Sequence, residues 1–274
     1  MRELRGACVL VTGAASGIGR ATARLFAEAG AKLVVCDVNE AGLRELEDEL
    51  RGKDALLLAR RVDVSDRAAM QAFEGEVHRA VPAVEVLVNN AGVGLSGGLL
   101  QTTLDDWEWV LKINLWGAIH GCHFFVPRMV ARAKGGAVIN VASVLGLHAA
   151  PGTIGYSTSK FGVVGLSEAL RGELLPHGIE VTTICPGMID TNILAAGRFR
   201  SRDEERSRQK AQQLFSKRGH APELVARAIV DSARGGGGVR PVAPEAWGIW
   251  MLQRFAPGLL PRLERVLKKR GLVE

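Results

Sequence analysis

A doubly wound α/β fold is predicted: one parallel sheet of seven strands, helices on both faces, and a helical extension at the C-terminus. Three observations carry it. Short apolar runs alternate with helix-length amphipathic stretches, the pattern of parallel strands joined by crossover helices. Runs such as Cys8-Val9-Leu10-Val11 and Leu33-Val34-Val35 are apolar at every position, so both faces of each strand must be covered. At 274 residues, 47% hydrophobic and 23% charged, the chain can bury one large core and is short for two domains.

The expected strands are 7–11, 32–37, 55–62, 84–89, 137–142, 180–185 and a last one near 239–243. Helical patterns fill the intervals at 17–29, 40–51, 67–80, 104–133, 156–175 and 222–233. Thr103 and Asp106 have the spacing of a capping box and would open the long central helix. The glycine run at 235–238 reads as a flexible turn rather than a domain boundary. The division expected is therefore a sheet domain at 1–244 and an amphipathic tail at 245–274.

The net charge of +6 is unevenly spread. Residues 198–220 hold eight basic against three acidic side chains, and residues 245–274 hold six against three. Neither segment has the aromatic interleaving or motif of a nucleic-acid module, so no nucleic-acid partner is expected. Cys8, Cys36, Cys122 and Cys185 are far apart, mostly in apolar runs, and lack metal-ligand spacing. They read as free buried thiols in a reducing compartment, with no metal site. With no signal-peptide pattern and no apolar stretch of bilayer-spanning length, a cytoplasmic location is expected.

The first strand empties into Thr12-Gly13-Ala14-Ala15-Ser16-Gly17-Ile18-Gly19 and then a helix. Glycines there permit a tight turn and let backbone amides and a helix N-terminus approach a pyrophosphate. The spacing is GxxxGxG, and its place between strand and helix is what makes it informative. Asp37 ends the second strand, where a carboxylate can accept from adenosine ribose hydroxyls and would repel a 2′-phosphate. NAD is therefore favoured over NADP; the alternative for Asp37 is a strand-end residue opening the next helix near Asn39. Arg20 has two readings, a phosphate contact or solvent exposure.

Tyr156-Ser157-Thr158-Ser159-Lys160 opens a helical pattern, and i, i+4 spacing puts Tyr156 and Lys160 on one face. Tyr156 is the only tyrosine in the chain. Bringing a phenol from a pKa of about 10 to near neutrality needs roughly 4 kcal/mol of differential stabilisation. A lysine cation ~4 Å from the phenolate supplies about that at an effective dielectric of 20, and an oxidised nicotinamide ring would add further positive charge. The pair is thus sufficient for a general acid/base, although alone it could equally be a half-buried tyrosine beside a solvated lysine.

Thr12 to Gly19, Asp63-Val64, Asn89-Asn90-Ala91-Gly92, Asn114, Ser143, Tyr156/Lys160 and Pro186-Gly187 with Thr191 resemble, in order, the motifs of the short-chain dehydrogenase/reductases. The resemblance runs from residue 7 to about 243 and implies a Rossmann fold and nicotinamide-dependent hydride transfer. It implies that Tyr156 moves the proton at the substrate oxygen, and that Lys160 lowers its pKa and holds the nicotinamide ribose. It also implies that Ser143 hydrogen-bonds the substrate oxygen and that Asn114 holds a relay water. Gly13, Ser16, Gly17, Ile18 and Gly19 would then meet the pyrophosphate. Asp63 and Val64 would flank the adenine, and Asn90, Ala91 and Gly92 would line the cleft. Pro186, Gly187 and Thr191 would meet the nicotinamide, Thr191 reaching its carboxamide or the pyrophosphate.

The substrate pocket expected around Ser143 uses Leu145, Ala150, Thr153 and Met188, with His148 as a further contact. These side chains are largely apolar and suit a lipophilic alcohol or ketone. Residues 189–219 fall where the family keeps a substrate lid. Its central charges at 198–208 read either as a solvated helix face or as an anion site for an acidic substrate. The tail carries Trp247, Trp250, Met251, Leu252, Phe255, Leu259, Leu260, Leu263, Val266 and Leu267 before Lys268-Lys269-Arg270. That suits two amphipathic helices packing over the pocket or a second subunit, or docking on a membrane surface. Similar tails occur in family members acting on steroids, retinoids and bulky alcohols.

Three functions stay open: an NAD(H)-linked dehydrogenase of a lipophilic secondary alcohol, a 3-oxoacyl thioester reductase using NADPH, and a nucleotide-binding regulatory protein without turnover. The family also implies a homo-oligomer, dimer or tetramer, pairing the long central helix and the Tyr156 helix. The apolar Trp107, Trp116, Phe124 and Phe125 are compatible with that pairing.

Overall fold

The computed structural model describes residues 2–259. The chain alternates β1 (Cys8–Thr12), α1 (Gly17–Glu28), β2 (Lys32–Asp37), α2 (Glu40–Leu50), β3 (Leu56–Arg61), α3 (Arg67–Ala80) and β4 (Val86–Asn89). A two-residue strand β5 (Leu95–Ser96) precedes one long helical run. This is α4 (Leu104–Leu111), a π-helical stretch (Lys112–Trp116) and α5 (Gly117–Arg132). Then come β6 (Gly136–Val141), α6 (Ile154–Leu174), β7 (Ile179–Pro186), the short β8 (Arg198–Phe199), α7 (Glu204–Arg218), α8 (Pro222–Arg234), β9 (Gly238–Val242) and α9 (Pro244–Phe255).

Seven strands form one sheet in the order β3-β2-β1-β4-β6-β7-β9, all neighbours parallel. Alternate residues of each strand feed opposite cores, which is why the strands read as unbroken apolar runs. Val9, Val11 and Val35 face Phe26 of α1 and Ile229 of α8. Leu10, Val34 and Leu87 face Met70 and Phe73 of α3 and Phe125 of α5. Phe125 is therefore core rather than an interface residue, whereas Trp116 is half-exposed. Chain order reverses between β1 and β4, and a crevice at the carboxyl ends of those strands is where such sheets hold ligands.

The capping box forms as read: Thr103 Oγ1 accepts from the Asp106 amide (3.2 Å), and the Asp106 carboxylate accepts from the Thr103 amide (3.1 Å). Asp106 has a second task the sequence did not reveal. Arg198 Nη1 donates to Oδ1 (3.0 Å), and Arg200 donates through Nε to Oδ2 and Nη2 to Oδ1 (2.8 Å each). The Arg198 guanidinium also lies 4.2 Å from the centroid of the Trp109 ring. Hydrogen bonds from Arg200 hold the Asp106 carboxyl far below the usual carboxylate range, against the effect of burial. Two lid arginines are thus spent tying β8 to the start of α4, which weakens the anion-site reading of this segment. Asp106→Ala removes a cap and a charged hydrogen-bond cluster at once. It should cost about 2 kcal/mol of stability, measured by urea unfolding.

Beyond β8, α7 has no buried residue, in keeping with the solvated helix face read from its charges. The paired β5 and β8 escape sequence analysis because two residues are too few to show a period. In α9 only Ala246 is buried, while Trp247, Met251 and Phe255 are exposed. Gln253 Nε2 of α9 lies 2.6 Å from His148 Nδ1, so the first half of the tail stands over the loop after β6. The second predicted tail helix, with Leu260, Leu263, Val266, Leu267 and the basic end, lies outside the described residues. No helix among the described residues is long and apolar enough to cross a membrane.

Candidate active site

The turn after β1 is built for close backbone approach. Gly13 has φ +66°, and a Cβ there would lie 2.8 Å from Ala91 Cα; Gly17 has φ +51°. A Cβ on Gly19 would sit 2.0 Å from the Gly13 carbonyl oxygen, so only glycine fits. Ser16 occupies the N-cap of α1 but makes no side-chain cap bond, and the first turn carries no acidic residue. This bare helix N-terminus above a glycine cradle fits a pyrophosphate. Arg20 takes neither reading given above: it pairs with Glu45 (2.8 Å) and Glu49 (2.6 Å) on α2.

Thr12 and Asn90 lock this turn to the end of β4. Thr12 Oγ1 accepts from the amides of Asn90 (3.0 Å) and Ala91 (3.1 Å). Asn90 Nδ2 donates to the carbonyls of Thr12 (2.9 Å) and Gly13 (3.0 Å). The Asn90 side chain therefore shapes the cradle. Thr12, the first residue of the glycine motif, thus acts by holding backbone.

Asp37 is half-buried at the end of β2, and its carboxylate is aimed by two amides, Ala15 to Oδ2 and Asn39 to Oδ1 (2.9 Å each). A carboxylate has about four acceptor sites, so capacity remains for ribose hydroxyls. Asn39, not Asp37, caps α2 by accepting from the Gly42 amide (3.1 Å). Asp63 is exposed and accepts from the amide (2.9 Å) and hydroxyl (2.7 Å) of Ser65. Val64 is buried against Gly117, where a Cβ would lie 2.7 Å from its Cγ2, so its side chain belongs to the core.

Tyr156, Lys160, Ser143 and Asn114 converge beyond the carboxyl ends of β4 and β6. Tyr156 and Lys160 lie one turn apart near the start of α6, with the ammonium 5.8 Å from the centroid of the phenol ring. Lys160 Nζ donates to the Val141 carbonyl (3.0 Å). A Cβ on Gly92 would lie 3.3 Å from Lys160 Nζ and 3.2 Å from Asn114 Oδ1, which places all three side by side. Ser143 caps the 3-10 turn Val144–Gly146 by accepting from the Leu145 amide (3.1 Å).

In the protein alone, burial dominates the electrostatics of the pair. Burial pushes the Tyr156 phenol up to about 12, only partly offset by a hydrogen bond with Ser143. Burial likewise lowers the Lys160 ammonium to about 8. In the protein alone desolvation outweighs mutual attraction, because each charged form loses its water and a neutral phenol offers the cation little.

Asn114 sits in the π-helical stretch, buried, with both its donors and one acceptor site engaged. Oδ1 accepts from the Val93 amide (2.8 Å), while Nδ2 donates to the Val93 carbonyl and Ser159 Oγ (3.0 Å each). Both amide protons of its side chain are used, while Oδ1 keeps one acceptor site. Ser159, which sequence reasoning passed over, is the hinge of this arrangement.

At the end of β7, Pro186 is buried and Gly187 half-buried. Thr191 reaches back to the glycine turn, its Cγ2 3.2 Å from where a Gly17 Cβ would be. Of the expected pocket residues, Ala150 lines an open groove of about 510 Å³ with Gly98, Leu99, Pro151, Ile154 and Phe161. Ser143, Leu145, Thr153 and Met188 lie outside its lining, as do Tyr156 and Lys160, so this groove is not the expected pocket. Thr153 Oγ1 bonds the Ala150 carbonyl (2.7 Å), and the Met188 amide donates to Glu245 (2.9 Å). Among the described residues no group of three or more His, Cys, Asp or Glu is placed to hold a metal ion, and the four cysteines are free and buried.

A glycine cradle at the sheet's switch point thus lies beside a half-buried tyrosine and a buried lysine. The chain belongs to the short-chain dehydrogenase/reductase family: the family's profile, "short chain dehydrogenase", matches residues 7–200. It is 38% identical over 263 residues to "Probable oxidoreductase EphD" of Mycobacterium tuberculosis, covering 94% of this chain and 44% of that protein. The chain thus spans less than half the length of that relative. It is 35% identical over 189 residues to the 3-oxoacyl-acyl-carrier-protein reductase FabG of Thermotoga maritima, covering 69% of this chain and 76% of FabG. In structure it resembles a short-chain dehydrogenase/reductase from Burkholderia phymatum in complex with NAD. The TM-score is 0.85 at 30% identity, over 95% of this chain and 97% of the other.

Proposed function

We propose that the protein interconverts a lipophilic secondary alcohol and its ketone with NAD(H), with Tyr156 as acid/base. The observation that carries this is the convergence of Tyr156, Lys160 and Ser143 beyond the cradle built on Gly13, Gly17 and Gly19. The cofactor supplies the hydride acceptor or donor and, when oxidised, a positive ring.

In alcohol oxidation Ser143 orients the substrate oxygen, and Tyr156 as phenolate takes the hydroxyl proton. In ketone reduction the Tyr156 phenol returns a proton to that oxygen. Lys160 holds positive charge beside Tyr156 and is itself oriented by the Val141 carbonyl. Asn114 and Ser159 fix the backbone at Val93, keeping the floor of the site beneath Gly92 in place.

Asp37 supports NAD over NADP, since its fixed carboxylate would repel a 2′-phosphate. Asp37→Ser should lower the NADH-over-NADPH affinity ratio at least about tenfold, equivalent to about 1.4 kcal/mol. Paired fluorescence titrations measure it, and a strong NADPH preference in the unaltered protein would overturn the assignment. The lipophilic substrate rests on the apolar side chains in sequence beside Ser143 and Gly187, Leu145 and Met188; the groove at Leu99, Ala150, Ile154 and Phe161 is lined by none of Tyr156, Lys160 and Ser143. The likeness to FabG favours a second reading, a 3-oxoacyl thioester reductase. A panel of hydrophobic secondary alcohols with NAD+, run beside 3-oxoacyl thioesters with NADH and NADPH, separates the two by which combination turns over.

A further inference from the structure

Glu245 opens α9, and its carboxylate reaches into the loop that follows β7. Its Oε1 accepts from the Met188 amide (2.9 Å), and its Oε2 lies 3.3 Å from His220 Nε2. Gly187 is shaped around it, since a Cβ there would lie 2.2 Å from Oε1. Met188 and His220 are also where the lid segment leaves and returns. The His220 amide donates to the Met188 carbonyl, and the Asp190 amide to the His220 carbonyl (2.9 Å each), forming an isolated parallel bridge between Ile189 and His220. One carboxylate therefore touches the Gly187–Met188 backbone and both ends of the lid.

We propose that Glu245 is a positioning residue that fixes the Gly187–Met188 backbone, and with it the base of the lid, for the nicotinamide half of the cofactor. This rests on the reading above that Pro186 and Gly187 face the nicotinamide. Glu245 acts through the loop it holds. Burial works against its charge, but the Met188 amide, its own amide and His220 outweigh burial and keep its pKa below the ordinary value. The arrangement joins the extension after β9 to the cofactor cleft and the lid, so that α9 is fastened to the site by its first turn.

The test compares NADH with ADP-ribose, which lacks the nicotinamide, by fluorescence and calorimetric titration of the whole protein. Glu245→Ala is expected to weaken NADH binding about tenfold while leaving ADP-ribose within about twofold, the loss of one charge-assisted hydrogen bond. Glu245→Asp keeps the charge but withdraws the oxygen by one methylene, and should show the same selective loss even if the alanine variant folds poorly. Glu245→Gln can still accept from Met188 and should stay within about threefold of the original for both ligands. Equal losses for the two ligands, or unchanged NADH binding in both the alanine and aspartate variants, would overturn the proposal. If the unaltered protein bound ADP-ribose no more weakly than NADH, the nicotinamide reading itself would fall, and the proposal with it.

Discussion

Replacing Tyr156 with phenylalanine is expected to lower turnover about 10³-fold or more while leaving NADH affinity within about twofold. Positioned acid/base groups contribute roughly 10²–10⁴-fold, and here no other described side chain is placed to substitute. Ser143 is near its own ordinary role as a hydrogen-bond donor and far too weak an acid. Lys160 lies one turn further along α6, its ammonium 5.8 Å from the ring centroid and bonded to the Val141 carbonyl. Phenylalanine keeps the ring and its packing, so the loss should fall on kcat and not on KM. Steady-state kinetics beside NADH titration check this. A variant retaining more than about a tenth of the activity would remove Tyr156 from the chemistry.

Gly19→Ala is expected to have the second largest effect, and through different physics. Its Cβ would lie 2.0 Å from the Gly13 carbonyl oxygen and within 3 Å of the Asn90 side-chain nitrogen, at 2.6 Å. Neither neighbour can retreat cheaply: the first is backbone in a left-handed turn, and Asn90 is held by two carbonyls. Overpacking of this kind costs about 1–3 kcal/mol, occasionally more. The shift falls on the cradle itself, so NADH affinity should drop by about 100-fold together with a lower melting temperature. By contrast Gly165→Ala, on α6 with open space around its Cβ, should leave both unchanged. Equal behaviour of the two variants would contradict the packing argument.

The seven strands and the main helices were legible because burial on both faces leaves unbroken apolar runs, and amphipathic crossovers separate them. Helix 67–80 coincides with α3, and most other boundaries differ by only one or two residues. What stayed hidden depends on contacts between distant residues. Arg198 and Arg200 read as part of a charged lid; only the fold brings them to Asp106, almost a hundred positions earlier in the chain. The long helix at 104–133 showed its N-terminal capping box but not its π-helical stretch, since one extra residue per turn leaves little trace in composition.

The candidate site was legible as a list and not as a geometry. Tyr156, Lys160, Ser143 and Asn114 do gather, yet the bond network reassigns tasks within the list. Asn90 and Thr12 hold the cradle, the Val64 side chain is core, and the Asn114 amide is occupied by Val93 and Ser159. Glu245 and Ser159 carried no signal, because a lone glutamate after a strand and a lone serine in a helix are common in any chain. The Tyr156 shift in the protein alone was also beyond the sequence. A lysine four residues away predicts attraction, whereas burial, which opposes both charges, needs coordinates.

That shift leads to the most direct test. The central claim is that Tyr156 is a phenol in the protein alone and becomes an effective base only with an oxidised cofactor beside it. The sign is fixed by the physics: burial raises the phenol to about 12, and added positive charge favours phenolate and lowers it. Because Tyr156 is the only tyrosine in the chain, phenolate absorbance reads its ionisation alone. Titrated without cofactor, the protein should form no phenolate below about pH 10, the unperturbed tyrosine value. Saturation with NAD+ should bring the ionisation down by about two units or more, with alcohol oxidation appearing over the same interval as pH rises. Identical titration curves with and without saturating NAD+ would contradict the account.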